Sequence, residues 1–580
     1  MHKGYLCIVL HAHLPYIRHP EYDYFLEENW FYEALTETYI PLLDMFNRLI
    51  NDGIDFRITL SLSPTLIEMF NDDLLRERYK RYIERLIELS EKEGYRTRGD
   101  IHFEPIVKMY KEKFLRIKCL FEDVYRRDLA SAFKALQDTG KVEIITSAAT
   151  HAFLPNLSMY PQAIRAQIKI ATEHYKQNFG VYPNGIWLPE CGYVPGMGRY
   201  IKDAGIKFFF LDTHGVLYGT PTPRYGVYTP VSCPSGVAAF GRDTKSSKQV
   251  WSSIEGYPGD FDYRDFYRDI GYDLDFNYIK PYIHPDGIRT YTGLKYYKIT
   301  GKTDNKEPYV IDNARKKSEE HARNFITNRE LQIHFLSSSR KFRNALLKPV
   351  ITATYDAELF GHWWFEGLEW LDFVMRGIFL EHKNFITITP SEYLGLQDSH
   401  PARLQVCQPS MSSWGSRGYN EVWLNNSNDY MYRHLHKSIE RMIYLADRFS
   451  HPSPPHLFTP LESPAIYGED GIDKISFPHR KGGVNAPSFL TGFTSSLLER
   501  ALNQAARELL LSQQSDWAFI MKTGTATEYA KKRFEEHIGS FHSLYQSIIS
   551  NTIEERWLTE IENRNKVFQN VDYRIYCSSG

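Results

Sequence analysis

The 580-residue chain balances 69 Lys and Arg against 71 Asp and Glu, a formal charge of -2 that offers no field for nucleic acid or an anionic membrane. Its length exceeds one ordinary core and suggests two to four domains, and 42% apolar with 24% charged residues is the balance of a globular protein. Six scattered cysteines without a CxxC pair argue against a disulfide framework or a structural zinc site.

The first predicted element is the apolar run "YLCIVL", which reads as a strand buried on both faces. The run is too short for a signal peptide, and no 18-residue apolar stretch follows anywhere, so the expected location is cytoplasmic. Polar residues take over at once in "HAHLPY". Helical periodicity over 30–50 leads to a second strand in "FRITLSLSP", then to charged helices over 74–93 and 105–139. "VEIITSAATHAF", "GIWLPE", "KFFFLDTHG" and "KPVITATYDAELFGHWW" repeat the first pattern, an apolar strand that ends in polar residues. Strands alternating with helices predict an α/β fold with a parallel sheet.

In a parallel barrel the carboxyl ends of the strands meet on one face. His11, His13, His151, Glu190, Asp212, His214, Asp356 and His362 all stand at that position. The looser stretch 219–328, rich in Gly, Pro, Tyr and Asp, reads as an insertion over this face. From residue 411 the pattern becomes helical, interrupted at 451–492 by a Pro, Gly and Ser cluster read as a surface insertion.

Two chemistries fit the strand-end residues. His11 and His13 share a face at i and i+2, and with Glu190 or Asp356 they would suit a metal-dependent polysaccharide deacetylase. Two carboxylates on different strands suit glycoside cleavage instead, one attacking the anomeric carbon and the other protonating the leaving oxygen. The aromatic share, 15%, would then supply sugar-stacking walls as well as core volume. Glu358 and Glu366 read as surface charges.

"HAHLPY", "ATHAFLP", "WLPECGY", "TATYDAELFGHWWFEG" and "SSWG", in this order over about 400 residues, resemble the five motifs of glycoside hydrolase family 57. "QSDWAFIMKTGTATEYAKKRFEEH" resembles the helical C-terminal region of that family's α-glucan branching enzymes. The resemblance implies a (β/α)7 barrel with a small inserted domain and a C-terminal α-helical domain. The expected limits are 1–218 and 329–410 for the barrel, 219–328 for the insertion and 411–580 for the helical domain. It implies a retaining mechanism without metal or cofactor, with Glu190 as nucleophile and Asp356 as general acid/base. Substrate contacts would come from His11, His13, His151, Trp187, Arg268, Gly293, His362 and Asp516, with Trp414 and Trp423 on the acceptor side. Tyr257 is the candidate for a mobile-loop tyrosine that shields the intermediate from water. The implied activity is transfer of an α-1,4-glucan chain (amylose or a glycogen-like polymer) to a 6-hydroxyl. The alternatives are an amylase-type hydrolase of the same family, the deacetylase, and a non-catalytic glucan-binding protein.

Overall fold

The computed structural model describes residues 2–252, 255–343, 345, 347–381, 384–398, 404–450 and 495–578. The 451–492 stretch expected as a surface insertion therefore lies outside the described residues.

Seven strands run parallel around the core: β1 (Gly4–Ala12), β2 (Ile58–Leu62), β3 (Val142–Ser147), β4 (Gly185–Trp187), β5 (Phe208–Leu211), β7 (Ala238–Gly241) and β8 (Val350–Asp356). Their order is β7-β5-β4-β3-β2-β1-β8; β6 (Val231–Ser232) pairs antiparallel with β7, and β9 (Phe385–Thr387) pairs with the start of β1. Beyond β7, the Asp243 N–H donates to the Thr352 carbonyl of β8 across 2.8 Å, joining the two ends of the curled sheet. The alternating pattern led us to expect the parallel sheet, and the family resemblance the (β/α)7 architecture seen here. Both faces of β1 are buried from Leu6 to Ala12, which explains why its run Leu6–Leu10 is apolar without alternation.

Register decides what meets at the carboxyl ends. His11 lies level with Ser61 of β2 on one side and with Asp356 of β8 on the other. Ser147 of β3 lies level with Trp187 of β4.

The helices begin where the sequence caps them. Ser63 accepts from the Leu66 N–H ahead of helix Pro64–Asn71, and Asp72 accepts from the Leu75 N–H ahead of helix Asp73–Arg96. The expected helix over 30–50 is not uniform. It is Glu28–Ala34 and Ile40–Asn51 joined by a π turn, Leu35–Tyr39. The extra residue in a π turn rotates the following side chains, and here both Glu37 and Tyr39 are buried and hydrogen-bonded to residues that follow β8.

Two boundaries move. The stretch 219–328 holds β7, paired parallel with β5, so the sheet continues into what read as insertion. "AAFG" is too short and too small in side chain to announce a strand. Likewise, 404–428 contains only one short 3-10 turn, at Ser416–Gly418, and lies against the barrel through Tyr193–Ser412 and Thr220–Gln408 bridges. The long C-terminal helices are Asp429–Ser450, Ser495–Ser512, Thr527–Ser550 and, between the last two, Ser515–Thr523. No described helix is long and apolar enough to cross a membrane.

Candidate active site

Glu190 sits in a tight turn directly after β4, with φ 60° and ψ 21°, and Cys191 follows at φ 51°. A left-handed backbone at a non-glycine residue costs roughly 1–3 kcal/mol, so two in succession need surrounding support. The support is visible. The Cys191 N–H donates to Leu188 O at 2.8 Å, and the Trp414 N–H donates to the Glu190 carbonyl at 2.9 Å. The carboxylate is held as firmly: Trp414 Nε1–H donates to Oε2 at 2.8 Å and the Ser515 hydroxyl lies 2.9 Å from Oε1.

Asp356, the last residue of β8, has the opposite environment. No described side chain hydrogen-bonds its carboxyl. Burial, then the negative charges of Glu358 and Glu190, push its pKa well above the usual carboxylate range, with Arg242 opposing. Glu190 is raised too, by burial first and then by Asp516, but the bonds from Trp414 and Ser515 and the charge of His13 oppose that rise. One acid is thus supplied with donors that favour its ionised form, while its neighbour is surrounded by like charge that favours its proton. That division is what a nucleophile and a proton donor require.

A histidine cluster backs the pair. His11 stacks on Trp187 with ring centroids 4.8 Å apart, and His13 stacks on His151 at 3.7 Å. Burial, together with the neighbouring histidines, holds His11 and His151 well below the usual histidine range, so both rings are neutral. His13, His151 and Asp516 offer ligand atoms within 4.8 Å of one another, the one group among the described residues that could hold a metal ion. Those atoms are already engaged: His13 Nε2 with Asp516 at 3.0 Å, and the His151 nitrogens with His11 and Ser515, each at 2.9 Å. A metal would have to displace these bonds.

Residues 7–335 match the model of glycosyl hydrolase family 57, and residues 490–576 match that of the 1,4-alpha-glucan branching enzyme C-terminal region. The chain belongs to glycosyl hydrolase family 57. A 1,4-alpha-glucan branching enzyme of Thermococcus kodakarensis is 31% identical, covering 99% of this chain and 79% of the relative. Its crystal structure, in complex with glucose and additives, superposes with a TM-score of 0.81 at 30% identity over 100% of this chain and 97% of that one. The α-amylase AmyC from Thermotoga maritima superposes with a TM-score of 0.84 at 42% identity, over 99% of both chains.

Against this family frame, the residues expected from the sequence, Trp423 aside, divide into three groups. His11, His13, His151, Trp187, Glu190, Asp356, Trp414 and Asp516 form one connected cluster. His362 pairs elsewhere: its Nδ1 meets Glu37 at 2.5 Å and its ring meets Phe266 edge-on. Burial alone would raise Glu37, but His362, Arg264 and Lys295 bring it down to about 2. Arg268 and Gly293 lie apart, in the stretch between β7 and β8. Arg268 pairs with Asp273, and the Gly293 N–H donates to Asp269 with φ 77°.

Several expected sugar contacts are corrected by burial. Trp187 is fully buried and backs His11, because the register of β4 turns its ring inward. Trp423 is 1% exposed and stacks on Phe153 at 4.4 Å in an apolar cluster with Trp517 and Phe534. All four ring nitrogens of His11 and His151 are taken by protein partners, leaving none for a sugar hydroxyl. Tyr257 is buried, stacks on His321 and donates its hydroxyl to Asn324 at 2.7 Å, so it is no loop residue facing the intermediate.

Other residues were missed. Glu358 is buried rather than exposed: it accepts from the Tyr39 hydroxyl and the His13 N–H, and burial pushes it up to about 7. Glu366, also buried, accepts from the Arg264 N–H and is likewise pushed to about 7. Arg242 pairs with Asp212 and lies 5.5 Å from the Trp414 ring centre. Ser515 gave no local signal at all, since it reaches Glu190 from 325 residues away.

Proposed function

We propose that this chain is a 1,4-α-glucan branching enzyme: it cleaves an α-1,4 link with retention and transfers the chain to a 6-hydroxyl of an α-glucan. Glu190 attacks the anomeric carbon while Asp356 gives its proton to the leaving oxygen; Asp356 then takes the proton of the incoming 6-hydroxyl as the glycosyl–Glu190 bond breaks. The observation that carries this reading is the contrast between the two acids, one held by Trp414 and Ser515, the other beside Glu358 and without a donor.

Transfer rather than hydrolysis is supported by the branching-enzyme match over 490–576, because that region supplies Ser515 and Asp516 to the site itself. The resemblance to an α-amylase at 42% identity favours a second reading, in which water is the acceptor. Incubation with amylose decides between them: new α-1,6 branch points exceeding new reducing ends support branching, and the reverse supports hydrolysis. Glu190→Gln should lower either activity by on the order of a thousandfold or more. A near-normal rate in that variant would remove Glu190 from the nucleophile role.

A further inference from the structure

The hydrogen bonds behind Glu190 form an unbroken file. Ser61 Oγ lies 3.0 Å from His11 Nδ1, His11 Nε2 lies 2.9 Å from His151 Nε2, and His151 Nδ1 lies 2.9 Å from Ser515 Oγ. Ser515 Oγ then lies 2.9 Å from Glu190 Oε1. The direction of every bond follows from the last one. An ionised carboxylate only accepts, so Ser515 donates its single hydroxyl hydrogen to Glu190. Ser515 must then accept from His151, which places the His151 proton on Nδ1. A neutral His151 accepts at Nε2, so His11 donates from its own Nε2 and accepts at Nδ1 from Ser61.

We infer that Ser515 is a positioning residue for Glu190, the end of a one-way relay from Ser61 through His11 and His151 that fixes the carboxylate's orientation and favours its ionised form. The inference rests on Glu190 being the nucleophile. It also gives the two strained histidine and glutamate turns a common purpose. His151 has φ 54°, and its carbonyl accepts the Ser515 N–H at 3.1 Å, so the bend that aims the imidazole also anchors the helix carrying Ser515. The same helical segment is docked by Gln514, whose side chain accepts from the Tyr16 N–H at 2.8 Å, and by Gln513, which accepts from Gln167 at 2.8 Å. The C-terminal region is therefore part of the catalytic apparatus, and barrel residues alone leave Oε1 of Glu190 without its donor.

A second consequence is polarity. If Glu190 carried a proton on Oε1 and donated it to Ser515, the file would reverse: both serine hydroxyls would turn and both histidines would change tautomer. The file thus resists protonation of the nucleophile cooperatively. Asp516, Asp356, His13 and His151 are the titratable groups that face Glu190 from the surrounding elements, and all remain in place when the Ser515 hydroxyl is removed.

The test is a pH–rate profile on the full chain with amylose. Ser515→Ala should lower kcat by roughly 10- to 100-fold and raise the acidic limb of kcat/KM by about one unit, because the lost bond favoured the ionised acid. KM should stay within about twofold, since no sugar contact is removed. Ser515→Thr, which keeps the hydroxyl, should restore both kcat and the limb. Ser61→Ala, at the far end and remote from Glu190, should move the limb in the same direction by a smaller amount, and it decides the matter if Ser515→Ala does not fold. An unmoved acidic limb in these folded variants overturns the relay, as does a loss that Thr fails to restore. Glu190→Gln run alongside separates the two ideas. If it is inactive while Ser515→Ala behaves as the parent, only the relay fails; if it is active, the nucleophile assignment fails first.

Discussion

Trp414 holds Glu190 at both ends: its indole N–H meets the carboxylate at 2.8 Å and its backbone N–H meets the carbonyl of the same residue at 2.9 Å. One turn of the 404–428 segment therefore fixes both the strained backbone and the charged group. The sequence suggested Trp414 as a sugar shelf, and its half-buried ring leaves room for that role beside the hydrogen bond. The two roles separate experimentally. Trp414→Phe keeps a ring but loses the donor, so the acidic limb of the pH profile should rise by about one unit with a rate loss of roughly 10- to 100-fold. Trp414→Ala removes the shelf as well, and reducing ends per branch point should then increase. A folded Trp414→Phe with the parent profile would remove the hydrogen bond from the mechanism.

Glu358 governs the other limb. Its charge is one of the causes that keep Asp356 protonated, after burial itself. Glu358→Gln retains an oxygen for the Tyr39 hydroxyl and the His13 N–H but removes the charge. With less negative charge nearby, the Asp356 proton is lost at lower pH, so the alkaline limb of kcat should move down by about one unit. Movement upward, or none, would show that burial alone sets the Asp356 proton.

Metal removal should change nothing. His13, His151 and Asp516 are close enough to share an ion, yet their ligand atoms are already paired within the protein. Extended dialysis against a chelator should leave the branching rate within experimental error. Loss of activity that zinc restores would instead favour metal-assisted chemistry of the deacetylase kind.

Trp423 is expected to act through stability. Truncating a buried tryptophan typically costs about 3–5 kcal/mol, and this one is packed on Phe153 between the barrel face and the C-terminal helices. Trp423→Ala should lower the unfolding temperature measured by calorimetry, with branching and cleavage falling in fixed proportion. A stable variant whose branching falls alone would return Trp423 to the acceptor site.

How much of this could be read from the chain depends on the range of the physics involved. Apolar runs that end in polar residues recur because a strand buried on both faces is largely apolar, with only small polar residues such as Thr59 and Ser61 admitted, and side chains beyond its end are released from that demand. That local rule was enough to put His11, His151, Glu190 and Asp356 at the carboxyl ends of parallel strands; the (β/α)7 count came from the family resemblance. It could not show which nitrogen meets which oxygen. Those contacts depend on strand register, which sets His11 level with Ser61 and Asp356, and on the docking of a helix from 325 residues away. Burial of charge was hidden for a similar reason. Glu358 carries the composition of a surface residue, and only the closing of the Leu35–Tyr39 π turn over it, through Tyr39, takes it out of water. A single inserted residue barely disturbs helical periodicity, so the π turn left no trace in the pattern. The sequence determined which residue types stand at the strand ends. The tertiary structure decided their protonation and aim, because hydrogen bonding and desolvation are properties of the packed neighbourhood.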